Sequence, residues 1–502
     1  MSRKIRGLSI SALLLLFLIE VYRAASQSVV CDEAYSWQLY LSHPITAVFT
    51  NFTAANHLYA TLLSWISFHA LPWPVFAMRL PTVLAAGWYF VNIYRLCSRL
   101  FSKPLHFVMG LGLLSLNPLV LDCLVVARGY GFALAGMSYA LVAMVDYLSF
   151  GGKQRHIVKA SLGLSFAIGT SLTFLTPSAA LVAIFAVLSG GSMPRRGWWR
   201  RFLTANSYLV GPLLLNAAVL YFAFPLREAR REHFYWGAVT AWESLRSLLH
   251  ASFAHSLYIG SPDAPGGISA AWLGFVTLAT PAVMLVLAAR IPARLKELRD
   301  GKVPSPGGAA FLLGAGTVFL SVIMLWAAHA ALAVRYPVDR LGVFFLLLMP
   351  VAILTAVSGE SQGTGARMRE YALTAFAAVA VASFLWQFQT KFFYVWRYDA
   401  DTEQILSILN EKERASPRLV RLGISWPLEP AVNFCRAVKG YRWLAPADRS
   451  GPKGDFDYYI LVPPMRDIGV DDEAVLKNRR LTVQYRGRVS GTRLAVPAPS
   501  TH

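Results

Sequence analysis

Eleven apolar runs divide this chain, and runs this long and this apolar have few ways to exist. They fall at roughly 8–26, 80–97, 104–121, 129–150, 157–173, 176–191, 203–225, 268–290, 308–329, 341–358 and 371–390. A helix needs ~20 largely apolar residues to cross a hydrocarbon core of ~30 Å, and a helix satisfies every backbone N–H and C=O within itself. The runs therefore predict membrane-spanning helices, the fifth and sixth being short enough to form a tilted pair. Of 502 residues, 56% are hydrophobic and only 15% charged, which excludes a soluble globular protein.

The net charge is +20, and its placement is more informative than its sum. Basic clusters recur between the runs: "MSRKIR" at the start, "YRLCSRLFSK" near residue 100, "GGKQRH" at 151, "MPRRGWWRR" at 193, "ARLKELRDGK" at 293 and "ARMRE" at 366. Charge confined to the joints between spans is not a nucleic-acid patch; it marks cytoplasmic loops. With the N-terminus inside, eleven crossings put 27–79, 118–128, 226–267, 330–340 and everything after Lys391 together on the far side. The first run also has features of a signal peptide, with "SRKIR" before it and "AAS" after, although Glu20 lies within it.

The first outer loop is too long to be a linker. "DEAYSWQLYL" from Asp32 reads as a short helix, with both acids in the first turn, where the helix dipole favours them. Ala34, Trp37 and Leu41 share one face. Adjacent residues on a helix point to different sides, so only one of Asp32 and Glu33 faces any given cavity. A second segment, "NHLYATLLSWISFHALPWP" from Asn56, suits an amphipathic helix lying at the membrane surface. Simple capping on a solvated face is the plainest use of such an acid pair.

The ordered set of a basic N-terminus, one span, "DEAYSW", "NHLYATLL", "RLPTVLAAG" and "ARGYGFALA" resembles the C-type membrane glycosyltransferases. Within that GT-C superfamily it is similar to the aminoarabinose transferases and protein O-mannosyltransferases. The likeness is strongest over residues 1–150 and continues through "REHFYWGAVTAWESLRSLL" (231–249) and "YPVDRLGVFFLLLMP" (336–350). It implies transfer of a sugar from a polyprenyl-phosphate carrier to an extracytoplasmic glycan, glycolipid or protein, with inversion. It also implies an acidic base in the first outer loop, Asp32 first and Glu33 second.

Displacing a lipid phosphate from an anomeric carbon requires deprotonating the acceptor hydroxyl and neutralising the departing phosphate. A carboxylate whose pKa is raised by partial burial suits the first task. Arginine suits the second, because its planar fork binds phosphate oxygens two at a time. Arg128, Arg340 and Arg79 stand at outer helix ends, with Tyr336 close to Arg340. Interface anchoring is the ordinary role of an Arg at such a place. A divalent metal is implied by the aminoarabinose-transferase branch. There a carboxylate stands near "AANHLYA", where this chain has Asn56 and His57; His57 and Asp122 are the candidate ligands. Tyr35, Asn56 and His233 are the candidate substrate contacts.

Cys31 and Cys123 lie on the outer side and could bridge, although apolar packing is the commoner role of such residues. After Lys391, Leu-rich runs give way to charged and alternating segments. The division is thus 1–390, an all-α polytopic membrane domain with amphipathic helices in its first outer loop, and 391–502, a small α/β extracytoplasmic domain with a flexible C-terminal end. In the latter, 401–413 and 429–440 read as helices and 418–425 and 457–463 as strands. A bacterial inner membrane is the expected location. The rival class is a lipid or glycan transporter or flippase, which should show internal repeats and mid-bilayer charges. No repeat is evident here.

Overall fold

In the computed structural model the described residues are all except 1, 192–197, 229, 231–235, 255–266, 301–303, 357–363, 466–468 and 499–502. His233 therefore lies outside them. The chain opens with α1 (Arg3–Ser26), then the first loop: α2 (Cys31–Ser36), a single π turn at Trp37–Leu41, α3 (Thr46–Thr50) and α4 (Leu58–Ala70). The bundle continues with α5 (Pro74–Leu100), α6 (Pro104–Ser115), α7 (Pro118–Cys123), α8 (Gly129–Ser149), α9 (Gln154–Thr170), α10 (Leu175–Gly191) and α11 (Trp198–Phe222). It closes with α12 (Ala241–Phe253), α13 (Gly267–Arg299), α14 (Pro306–Leu332), α15 (Phe345–Thr355) and α16 (Thr364–Trp386).

Each of the eleven apolar runs is largely helical where it is described, but among the described residues six segments are both long and apolar enough to cross a membrane: Arg3–Ser26, Pro74–Leu100, Gly129–Ser149, Leu172–Gly190, Ala271–Glu297 and Pro306–Leu332. Four further apolar helices are shorter. The third run falls short because Asn117 ends it: its side chain accepts from Leu119 N and Val120 N and starts α7 as a separate turn. The tenth falls short because 335–344 is occupied by a bridge and a 3₁₀ turn before α15 begins. With six such helices the protein is a multi-pass membrane protein.

The candidate spans differ in what surrounds them. The α8 window is 89% buried within the protein, whereas those of α1 and α13 are 17% buried. So α8 is the centre post, and α1 and α13 present Leu14, Leu15, Leu278 and Leu285 outward, as lipid-facing helices do. Against α8, α9 packs at closest approach: a Cβ on Gly136 would stand 2.6 Å from Gly163 O, and one on Gly163 2.6 Å from Gly136 O. Small residues at a crossing let two membrane helices touch backbone to backbone.

One end of the bundle collects the basic loops. There Arg99 at the end of α5 pairs with Asp146 at the end of α8, and Lys103 pairs with Glu370 at the start of α16. The opposite end carries the first loop and the C-terminal domain. That domain comprises α17 (Thr402–Glu413), β1 (Leu422–Ile424), α18 (Glu429–Val438), β2 (Tyr458–Leu461), α19 (Glu473–Asn478), β3 (Leu481–Arg486) and β4 (Arg493–Pro497). Its sheet runs β1-β2-β4-β3, with β1 and β2 parallel across α18 and the other pairings antiparallel. The sequence reading located α17, α18, β1 and β2; β3 and β4 add a bulged hairpin that it did not name.

The domain docks on the loop. Trp37 meets Phe434 of α18 edge-on, with ring centroids 5.2 Å apart. Val30, Ala34, Val48 and Leu58 share one apolar cluster with Ile405, Leu406, Val432 and Phe434. Between the two parts runs a strap, Phe392–Asp399, leading from the end of α16 into the domain.

Candidate active site

The site is built around α2. Its two acids diverge by helix geometry and meet opposite surroundings. Glu33 turns inward and is fully buried. Its Oε1 accepts from Arg79 Nε at 2.8 Å and Ala127 N at 2.7 Å; its Oε2 accepts from Arg79 Nη2 at 2.6 Å and Val30 N at 3.1 Å. Arg79 gives its remaining donors to the carbonyls of Ala24, Gln27 and Ser28. Every strong acceptor and donor of this pair is used, so neither has capacity left for a substrate. Their use is to bolt α2 to α1, α5 and the turn before Arg128.

Asp32 turns the other way and keeps 23% of its side chain exposed. Its Oδ2 lies 3.2 Å from Arg340 Nη2 and 3.9 Å from Arg128 Nε. Burial pushes its pKa up, but Arg340, Arg128 and Trp396 together outweigh burial and hold it below the usual carboxylate range. The expectation of a raised pKa is thus reversed, because two cations stand where a lone half-buried acid was anticipated.

Each arginine is placed by its own local device. Arg128 occupies the extended N-cap position of α8, and its Nη1 donates to Ser36 Oγ at 2.8 Å and Ala55 O at 3.0 Å. The following Gly129 is forced by close approach: a Cβ there would stand 1.7 Å from Thr170 O and 2.7 Å from His57 Nδ1. Arg340 follows Asp339, whose φ of 41° is unusual for a non-glycine residue. That turn is held by Asp339 N donating to Ser247 Oγ at 2.9 Å and by Tyr336 pairing with Ala238 as a two-residue bridge. The Arg340 guanidinium lies over Trp396, 4.9 Å from the ring centroid. Among the described residues, neither Arg128 Nε nor Arg340 Nε has a hydrogen-bond partner, although both are buried. An orphaned guanidinium N–H beside an exposed carboxylate is a place for an anionic or polar ligand oxygen.

The other sequence candidates sort by position. Tyr336 serves the bridge, with its ring 4.6 Å from that of His329. His57 bonds through Nδ1 to Thr170 O at 3.2 Å, and its Nε2 has no partner among the described residues. Burial, then Arg128, keeps this imidazole well below its ordinary pKa, hence neutral. Asn56 donates from Nδ2 to Val48 O and Asn51 O. Tyr35 lies beneath Arg449 of the C-terminal domain, 4.8 Å from the guanidinium carbon. Asp122 is occupied by Arg23 and by Tyr394 N, the latter at 2.7 Å. His57 and Asp122 therefore serve separate networks, and no group of three His, Cys, Asp or Glu among the described residues could hold a metal ion. The residues present do not fit the metal set implied by the resemblance. Cys31 and Cys123 are both free thiols.

Sequence reasoning missed the strap. Its members reach several of the charged groups named above: Phe392 O accepts from Arg23, the Phe393 ring lies 5.1 Å from both Arg23 and Arg79, the Trp396 ring lies under Arg340, and Asp399 Oδ2 accepts from Cys31 N at 2.6 Å. The only local signal was an aromatic-rich stretch, "FFYVWRYD", directly after the last apolar run.

No protein-family model matches the chain, and no curated protein matches it. Solved structures do align with it. ArnT from Cupriavidus metallidurans bound to undecaprenyl phosphate is 15% identical, with 98% of each chain covered and a TM-score of 0.39. The archaeal oligosaccharyltransferase AglB from Archaeoglobus fulgidus, in complex with an inhibitory peptide and a dolichol-phosphate, is 12% identical over 92% of this chain and 70% of its own, with a TM-score of 0.46. Arabinofuranosyltransferase AftD from Mycobacteria is 14% identical over 84% of this chain and 31% of its own, with a TM-score of 0.41. These are proteins to which the chain is similar, and what they bind is theirs.

Proposed function

We propose that this protein is an integral-membrane glycosyltransferase that moves a sugar from a polyprenyl-phosphate donor to an acceptor hydroxyl at the extracytoplasmic surface, with inversion. The observation that carries the reading is the convergence of one accessible carboxylate, Asp32, with two arginines whose Nε–H groups have no hydrogen-bond partner among the described residues. The three come from α2, the start of α8 and the turn before α15, all at the end of the bundle opposite the basic loops.

In this reading the donor's isoprenoid tail lies in the bilayer and its phosphate stops at the depth of Arg128 and Arg340, where a charge pair is worth more than in water. The acceptor O–H gives its proton to Asp32 while its oxygen attacks the anomeric carbon from the face opposite the phosphate. The bond from that carbon to the phosphate oxygen breaks, and its electron pair leaves on the polyprenyl phosphate. The negative charge growing there is met by the arginines, and such fixed charge lowers the barrier most when it need not reorganise. Asp32 begins as a weak base because the arginines hold it. Once the phosphate draws on those cations, the carboxylate is left more basic, so donor binding itself prepares the base.

The test is purified protein in lipid nanodiscs with a panel of short-chain polyprenyl-phosphate sugars, following release of free polyprenyl phosphate and the mass of the product. Acceptor-dependent release that Asp32→Asn abolishes is the expected result. Carrier release with no glycosidic product, or unchanged turnover in Asp32→Asn, overturns the reading.

A further inference from the structure

Phosphate binding uses the hydrogen-bond donors of this site and leaves its acceptors unexplained. A polyprenyl-phosphate sugar is a phosphodiester, so at neutral pH its phosphate accepts hydrogen bonds and donates none. Asn56 and His57, 4% and 9% exposed, nevertheless each carry a buried acceptor beside Arg128. Neither Asn56 Oδ1 nor His57 Nε2 has a hydrogen-bond partner among the described residues. A buried acceptor left unbonded is costly, so two in succession call for a reason.

Both residues are engaged on one side only. Asn56 gives its amide N–H groups to Val48 O at 3.2 Å and Asn51 O at 3.1 Å, which makes the oxygen the unengaged end. His57 Nδ1 stands 3.2 Å from Thr170 O, and a carbonyl oxygen only accepts, so Nδ1 carries the proton. In the neutral ring Nε2 is then a lone pair, on the edge away from Thr170. The ring is wedged in place. It meets Tyr130 edge-on with centroids 4.9 Å apart, and a Cβ on Gly129 would stand 2.7 Å from Nδ1. Arg128, one residue before that glycine, donates from Nη1 to Ala55 O at 3.0 Å, one residue before Asn56. The phosphate-binding guanidinium and the two acceptors are therefore neighbours.

We infer that His57, with Asn56 beside it, receives a hydroxyl of the donor sugar, so that the arginines hold the phosphate and the imidazole lone pair reads the ring attached to it. The inference rests on the transfer reading above and deepens it: the substrate is a sugar with a free hydroxyl within reach of its own anomeric phosphate. A sugar O–H is the group such a lone pair lacks and the phosphate does not supply. A site built to accept from a hydroxyl rejects the analogue without it, because its own acceptor is then left buried and unbonded.

His57→Asn is the deciding variant. The Asn amide nitrogen falls near the place of Nδ1 and keeps the bond to Thr170 O, while nothing occupies the place of Nε2. The donor is the short-chain polyprenyl-phosphate sugar that wild type turns over, compared with analogues in which one ring hydroxyl at a time is replaced by hydrogen or by fluorine. Wild type is expected to lose kcat/KM roughly 10-fold or more on one such replacement, and His57→Asn to treat that analogue and the parent alike, within about twofold. If His57→Asn does not fold, His57→Phe serves the same comparison, filling the space of the ring without either nitrogen. Wild type that tolerates every replacement, or a variant that keeps the full discrimination, overturns the inference. So does turnover that stops on chelation and is restored by a divalent cation in wild type but not in the variant, since the lone pair then belongs to a metal. Should wild type transfer no sugar, the transfer reading falls, and the same compounds are compared as ligands by the concentration that half-saturates the rise in Tm. Weaker binding on one replacement in wild type but not in the variant sustains the hydroxyl contact; equal binding, or none, removes it.

Discussion

The two sides of α2 are one residue apart in sequence and opposite in physical character. On the Glu33 side the carboxylate has four donors, no exposure and a guanidinium with no donor to spare. On the Asp32 side the carboxylate is partly exposed and held by cations whose Nε–H groups make no hydrogen bond among the described residues. The first arrangement is closed and can only hold; the second is open and can exchange partners. Saturation, rather than charge or residue type, separates the closed ion pair from the open one in this protein.

The sharpest way to break that comparison is to remove charge from each side. Glu33→Gln leaves the Arg79 guanidinium buried without its counter-charge, and a buried pair broken from one end costs about 3–5 kcal/mol. The expected outcome is a large fall in Tm and in the yield of folded protein. Asp32→Asn should do the reverse: Tm close to wild type, and transfer lower by a factor of ~10² or more. Activity per folded molecule and melting temperature, measured on both, would merge the two sides if they changed together.

Next in size is the arginine chemistry. Arg340→Lys keeps the charge but loses the fork and the stacking on Trp396, so turnover should fall roughly 10-fold, with Arg340→Ala lower again. Arg79→Lys should instead lower stability, since one ammonium cannot reach the two Glu33 oxygens and three carbonyls that Arg79 serves.

The smallest effect concerns Asp399, behind α2. Burial raises its pKa well above the normal carboxylate value, although the bond from Cys31 N opposes this. A carboxylate raised in the folded state adds stability below its unfolded pKa and loses it as pH rises through the folded one. Asp399→Asn keeps an oxygen for Cys31 N and cannot ionise. Its Tm should match wild type in acid and exceed it at neutral and alkaline pH, by an amount of order 1 kcal/mol. A Tm difference independent of pH would show that Asp399 does not titrate across that range.

What was legible in the sequence was whatever local pattern encodes. Apolar runs marked the helices, and a helix N-terminus with two acids marked α2. The 100° step between neighbours on a helix already required that only one acid face a cavity. Arg128 and Arg340, which the structure places beside Asp32, were singled out because cations at helix ends are visible one loop at a time. The direction of the Asp32 pKa was not legible, since it depends on residues 96 and 308 positions away meeting at one oxygen. Glu33 and Arg79 were nominated for chemistry because sequence does not reveal saturation. The hairpin of β3 and β4 could have been found: "LTVQYR" alternates as a strand should. The strap could not, because nothing in "FFYVWRYD" states what lies opposite it.

The strap also sets an order of events. Residues 392–399 are synthesised more than 350 positions after Cys31 and Asp32, and behind the last of the apolar helices. Until they arrive, Arg340 lacks the Trp396 ring and Arg23 and Arg79 lack the ring of Phe393. A chain still being threaded into the membrane therefore holds these arginines without the aromatic rings that face them. The surroundings of Arg23, Arg79 and Arg340 are thus completed only after the last apolar helix has been made.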